Sequence, residues 1–223
     1  MKKWFKVLAI AIGGLTVTAC SSTGVKLSDA KGTLVDFIEN SNGHQTEIVY
    51  MVHPDMVRVD YGNSGNYTLF NRITQTIYDV HEANKTVTVI NKGAEPVSLE
   101  PPSGVTITER PSQMVSDGSS THYRFIKNDK TCLNVVAVSP LFPIVEVAMA
   151  EMESVRLNDP RLADIDPESC EYVMRFYALH KAPTLGFPVR MWNGDGYSRF
   201  MESYKVQVDL TENNEWYKLP EWY

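Results

Sequence analysis

The hydrophobic period of this chain changes twice, from alternation to helical spacing and back, and that pattern constrains the fold more than any other feature. Val57, Val59 and Tyr61 alternate with Arg58 and Asp60, and short runs rich in Thr, Val, Ile and Tyr follow at 67–71, 76–80 and 85–90. Thr33–Glu39 and Glu47–Val52 precede them, separated by the turn signal Asn40-Ser41-Asn42-Gly43; His53-Pro54-Asp55 and Gly62–Asn66 mark the next corners. Residues 93–104 carry three prolines and two glycines, which exclude a central strand and predict a long loop able to cover a cavity mouth. Strands resume at Val105–Glu109, Tyr123–Lys127 and Leu133–Val138, with a turn expected at Ser116–Ser119. Phe187–Trp192 and Ser198–Leu210 flank Asn193-Gly194-Asp195-Gly196, a strong hairpin signal, and an aromatic segment, Trp216–Tyr223, closes the chain.

The helical period lies between these two sets. Val145, Ala148, Met149, Met152 and Val155 recur at helical spacing over Pro143–Leu157, and Pro143 suits a first turn. Asp166-Pro167-Glu168 predicts a second helix, capped by Asp166 and running to about His180, with Cys170, Val173, Met174 and Tyr177 on one face. Each stripe must bury against something, and the sheet is the large apolar surface on offer. The expected fold class is α+β: a curved antiparallel β-sheet with two helices packed on the concave side.

The first twenty residues address location. Lys2, Lys3 and Lys6 precede the apolar run Val7–Leu15, which is too short to span a bilayer and reads as a signal sequence. Val17-Thr18-Ala19-Cys20 resembles a bacterial lipobox. That resemblance implies a signal peptide at 1–19, diacylglyceryl transfer to the Cys20 thiol, cleavage after Ala19, and a membrane anchor of two or three acyl chains. Ser21, in place of aspartate, implies the outer membrane of a Gram-negative bacterium, with the protein facing the periplasm. Residues 20–32 read as a flexible lipidated tether and 33–223 as one domain.

Charge and cysteines narrow the partners. The chain carries 21 basic and 27 acidic side chains, a formal charge of −6 that grows more negative once the three signal-peptide lysines are lost. An acidic domain is a poor ligand for nucleic acid or for an anionic bilayer, so membrane contact is expected through Cys20 alone. Of three cysteines one is committed to lipid, leaving Cys132 and Cys170 as an even pair in an oxidising compartment. They are expected to form a disulfide closing a loop of about 39 residues, worth roughly 3–4 kcal/mol; two buried free thiols are the alternative.

No catalytic, cofactor or metal motif is expected. His81-Glu82 begins like a zinc helix, but Lys85 stands where the second histidine belongs. There is no Gly-x-Ser-x-Gly elbow, and Gly194-x-Gly196 lacks the third glycine of a dinucleotide loop. Asp117, Asp159, Asp164 and Asp166 sit in turns. Glu146–Glu171 holds eight acids and two arginines, which read as a solvated helical face or a docking patch for a basic partner.

The order of elements resembles the periplasmic lipoprotein carriers of the LolA/LolB type over roughly residues 33–223. The meander Val57-Arg58-Val59-Asp60, Ile77-Tyr78-Asp79, Thr86-Val87-Thr88-Val89 is similar to that superfamily's opening strands. So are Gly186-Phe187-Pro188-Val189 and the ending at Tyr217, Leu219 and Pro220. The resemblance implies a half-open barrel with an apolar cavity capped by helices. The expected function is binding of an acyl chain or another hydrophobic ligand, in lipoprotein or lipid trafficking, by a pocket lined by Val145, Met149, Met152, Met174 and Tyr177. The alternative is a structural or envelope-stress lipoprotein with a packed core and a surface that binds another envelope protein.

Overall fold

The computed structural model describes residues 31–93, 100–112, 120–210 and 214–223. The signal sequence, Cys20, nearly all of the tether, the turn at Ser116–Ser119 and half of the proline-rich loop lie outside them. Among the described residues eleven strands form one open antiparallel sheet. The first meander is β1 (Gly32–Ser41), β2 (His44–Val52), β3 (Met56–Tyr61), β4 (Tyr67–Asn71), β5 (Thr76–His81) and β6 (Thr86–Asn91). The second is β7 (Val105–Ser112), β8 (Ser120–Lys127), β9 (Lys130–Val138), β10 (Phe187–Trp192) and β11 (Ser198–Val208). They join where β1 pairs with β11, so β6 and β7, consecutive in the chain, are the two outer edges.

Local chemistry accounts for the registers. Asn42 and Gly43 both take positive φ, 51° and 80°, so β1 and β2 close with a two-residue turn whose twist matches the strands. Asn128 and Asp129 do the same between β8 and β9. At Asn193 the side-chain oxygen accepts from the amides of Asp195 and Tyr197, shaping the predicted hairpin loop. Pro111 sits in the edge strand β7, where a missing N–H costs nothing. Gly32 answers a close approach of backbone: a Cβ there would lie 2.8 Å from the Val52 carbonyl oxygen. The expected alternation at the end of β11 is not kept: Val206 is exposed, Gln207 takes φ 57°, the strand ends at Val208, and Leu210 is buried beyond it.

The helical insertion falls between β9 and β10. Helix α1 (Pro143–Arg156) begins with Pro143 in its first turn, and the Glu146 carboxylate accepts from the amides of Leu141 and Phe142, satisfying donors the helix leaves open. The second helix departs from expectation. Its cap is Ser169, whose hydroxyl accepts from the Tyr172 amide, because Asp166 spends its side chain on the Glu168 amide within the preceding turn. It is also not one helix. Helix α2 (Cys170–Val173) widens into a π-turn at Met174–Ala178, returns as α3 (Leu179–Lys181), and tightens into a 3₁₀ turn at Ala182–Leu185 before Gly186.

Three apolar clusters follow. One joins Phe37, Tyr50, Val52, Phe70 and Ile77 of the first meander to Val145, Met149, Met152 and Val155 of α1. The second joins Phe125, Leu133 and Val135 to Val173, Tyr177 and Ala178. The third places Leu210 and Tyr217 on Met51, Met56, Tyr67 and Leu69, so the C-terminal segment covers the face of the first meander opposite α1. The Tyr217 hydroxyl donates to the Met51 carbonyl and Trp222 Nε1 to Glu82. Cys132 of β9 and Cys170 of α2 are joined in a disulfide, with Cα atoms 4.9 Å apart.

Candidate functional site

A highly charged cleft of about 520 Å³ lies between the first meander and the C-terminal end of α1. Its floor is built from Asp79, an acid on the inward register of β5, in line with the core residue Ile77. Asp79 is 7% exposed. Thr68, opposite it on β4, donates to Oδ1 at 2.7 Å. Because that hydroxyl proton is committed, the Tyr61 hydroxyl must donate to Thr68, at 3.2 Å. Arg156, in the last turn of α1, reaches Asp79 Oδ2 at 3.2 Å, and Arg161 reaches the same oxygen at 2.7 Å. Arg161 is held in turn by Asp159, which caps the 3₁₀ turn Pro160–Leu162 and grips both the Arg161 amide and its guanidinium.

The electrostatics are those of a self-neutralising network. Burial alone would raise the Asp79 carboxyl, but Arg156 and the bonds from Thr68 and Arg161 outweigh it and hold Asp79 below the usual carboxylate range. Asp159 is lowered likewise, its Arg161 bonds overcoming burial. Burial opposes the charge of Arg156, and Glu153 and Asp79 together hold it protonated. Three carboxylates, Asp79, Asp159 and Glu153, thus face two guanidiniums, so the cleft offers a pre-organised polar floor with little net field for an anion.

A second charged pair lies close by. Arg199 of β11 bonds Glu39, its register partner on β1, at 2.8 Å through Nε, and donates to the Tyr50 hydroxyl at 3.3 Å. Burial pushes the phenols of Tyr50, Tyr61 and Tyr197 up, and the Glu153 carboxylate adds to the rise at all three. Glu153 therefore stands between the Asp79 and Arg199 networks.

The second meander carries one buried imidazole. Arg110 Nε donates to His122 Nδ1 at 3.0 Å, which leaves Nε2 as the protonated nitrogen facing Asn134 Oδ1, also at 3.0 Å. The ring stacks on Trp192. Burial and then the charges of Arg110 and Arg124 hold its pKa below the ordinary histidine value, against the Asn134 bond. Among the described residues no three His, Cys, Asp or Glu side chains converge as a metal site.

The five residues expected to line an acyl pocket do not come together as one. Val145, Met149 and Met152 are at most 4% exposed within the α1 cluster, while Tyr177 is buried in the α2 cluster with Met174 packed against it. None of them lines either of the two principal clefts. The physical reason is fit: α1 lies directly on the sheet, and its methionines fill the space between them. A further cleft, about 570 Å³, lies on the outer side of α1 between Val147, Ala150, Ser154, Lys92 and Pro183.

Sequence reasoning missed the Asp79 network. The sequence assigns Asp159 to a turn, which its cap of the 3₁₀ turn matches, and the acidic run to a solvated face or a docking patch. The available signal was Asp79 itself, a charge on the inward phase of an alternating strand, which requires a buried cation.

No protein-family model matches the sequence, and no curated protein matches it. Among solved structures the chain is similar to PNGF-II in its C2 and P21 crystal forms, at 10% identity and TM-scores of 0.41 and 0.40. Those likenesses cover 84% and 79% of this chain, which spans only 30% and 28% of the PNGF-II chain. An uncharacterized conserved protein from Thermus thermophilus is similar at 8% identity and a TM-score of 0.46, over 89% of this chain and 88% of that one.

Proposed function

We propose that the chain is an outer-membrane lipoprotein, anchored through Cys20 and facing the periplasm, whose LolA/LolB-like half-open barrel acts as a non-catalytic binding module through its surface. Its partner is another envelope protein, docked at the polar cleft around Asp79, Arg156 and Arg161. The observation that carries this reading is the burial of Val145, Met149 and Met152 beneath α1, which leaves the concavity filled by side chains. A filled interior favours recognition at the surface over carriage of a ligand inside.

The acyl-binding reading keeps one supporting feature, the apolar wall of Val147, Ala150, Val155 and Pro183 in the outer cleft. Titration of the mature protein with a fluorescent fatty acid separates the two. Surface recognition predicts no saturable binding. Single-site binding that Val147→Asp abolishes would move the function to the outer cleft. The anchor is tested independently: Cys20→Ala is expected to accumulate as an uncleaved precursor that takes up no labelled palmitate, and normal processing of that variant would refute the lipobox.

A further inference from the structure

The two edges of the sheet are built differently. Edge strand β7 carries Glu109, Arg110 and Pro111, residues that blunt strand pairing. Edge strand β6 reads Thr-Val-Thr-Val-Ile-Asn, with no charge and no proline, and Val89 is 41% exposed. The direction of its main-chain groups can be derived. The Lys92 amide donates to the Gln75 carbonyl, which makes the opposed residues Thr76 and Asn91 a non-hydrogen-bonded pair. Pairs alternate along an antiparallel ladder, so Ile90, Thr88 and Thr86 bond inward to β5. The amides and carbonyls of Val87, Val89 and Asn91 point outward, and among the described residues none of them is bonded to another element.

We infer that β6 is a dimerisation edge whose occupant is the β6 strand of a second copy of this chain. The strand is complementary to itself. An antiparallel pairing about a two-fold axis through Thr88 sets Val87 opposite the second copy's Val89, so the outward amides and carbonyls of both valines are satisfied in each copy. Thr88 faces its own copy and Thr86 faces Ile90, while Lys85 falls opposite the neutral Asn91; apolar and threonine pairs of this kind stabilise antiparallel sheets. The register also carries each Lys92 toward the second copy's Asn84 and Lys85, so the pairing rests on main-chain bonds and neutral side chains and not on ion pairs. The net negative charge of each chain opposes association at long range, so the dimer tightens as salt is added.

Equilibrium sedimentation of the mature protein in detergent tests this, with two variants. Val89→Pro removes an amide that bonds nothing within its own chain, so it keeps the wild-type circular dichroism and thermal midpoint. It also removes two intermolecular bonds and weakens dimerisation about tenfold or more. Thr88→Cys places two thiols directly opposite and gives a covalent dimer under mild oxidation, whereas Thr86→Cys does not. A wild-type protein that is monomeric throughout, a dimer unaffected by a folded Val89→Pro, or equal cross-linking of both cysteine variants would overturn the assignment.

Discussion

The two meanders are secured to their helices by different chemistry. The first, β1–β6, is held to α1 by an ion network in which Arg156 and Arg161 converge on Asp79. The second, β7–β11, is held to α2 by the Cys132–Cys170 bond, and the buried Lys127 of β8 reaches the Pro167 carbonyl and Glu168 in the turn before that helix. Both attachments contain an ion pair, and only the second also carries a redox-dependent covalent bond. One domain therefore has two separable sensitivities, and each can be removed without touching the other.

The largest effect expected on this comparison is from Asp79→Ala. It leaves two arginines without their shared acceptor and is expected to cost about 3–5 kcal/mol in urea unfolding, as for other broken buried ion pairs. Asp79→Asn keeps the Thr68 contact and should cost less. A loss under about 1 kcal/mol for the alanine variant would mean that Arg161, half exposed, finds water as good a partner.

Removing the covalent link comes next. Cys132→Ser is expected to abolish the mobility shift that reductant produces in the wild type and to cost about 2–4 kcal/mol. Limited proteolysis should then cut around α2 while the first meander stays protected. Cleavage spread evenly over both halves would show that the two attachments are not independent.

Acid sharpens the same contrast. Asp79 titrates lower in the fold than its unfolded value of about 3.9, so its contribution is complete above that value and is lost as pH falls through the lowered one. His122 in the second meander is also lowered, from about 6.5, so the unfolded chain binds the extra proton and stability declines as pH drops below that value. Urea midpoints from neutral to strongly acid pH are expected to show a shallow loss that His122→Gln removes, and a steeper one at lower pH that Asp79→Asn removes. The smallest effect expected is for Tyr217→Phe, which deletes one hydrogen bond to the Met51 carbonyl and should cost about 1 kcal/mol.

Much of this architecture was legible in the residues. Alternation placed the strands, Asn42-Gly43 marked a hairpin, Pro143 opened α1, and the even count left once Cys20 is set aside pointed to the pairing of Cys132 with Cys170. The cap of the second helix was misread because Asp166 and Ser169 are both good caps, and the choice rests on which side chain the preceding turn consumes. The expected pocket turns on a feature that the stripe alone does not carry. An amphipathic stripe such as Val145-Met149-Met152 states that a face is covered, not whether side chains or a ligand cover it. That depends on the distance between helix and sheet, which no local pattern encodes.

That distance is where the account is most exposed. Met152→Ala tests it directly: in a filled interior, removing a side chain 1% exposed leaves a cavity and should lower the unfolding free energy by about 2–5 kcal/mol. A variant as stable as the wild type that has lost affinity for a fluorescent fatty acid would contradict the packed interior and return the protein to the carriers.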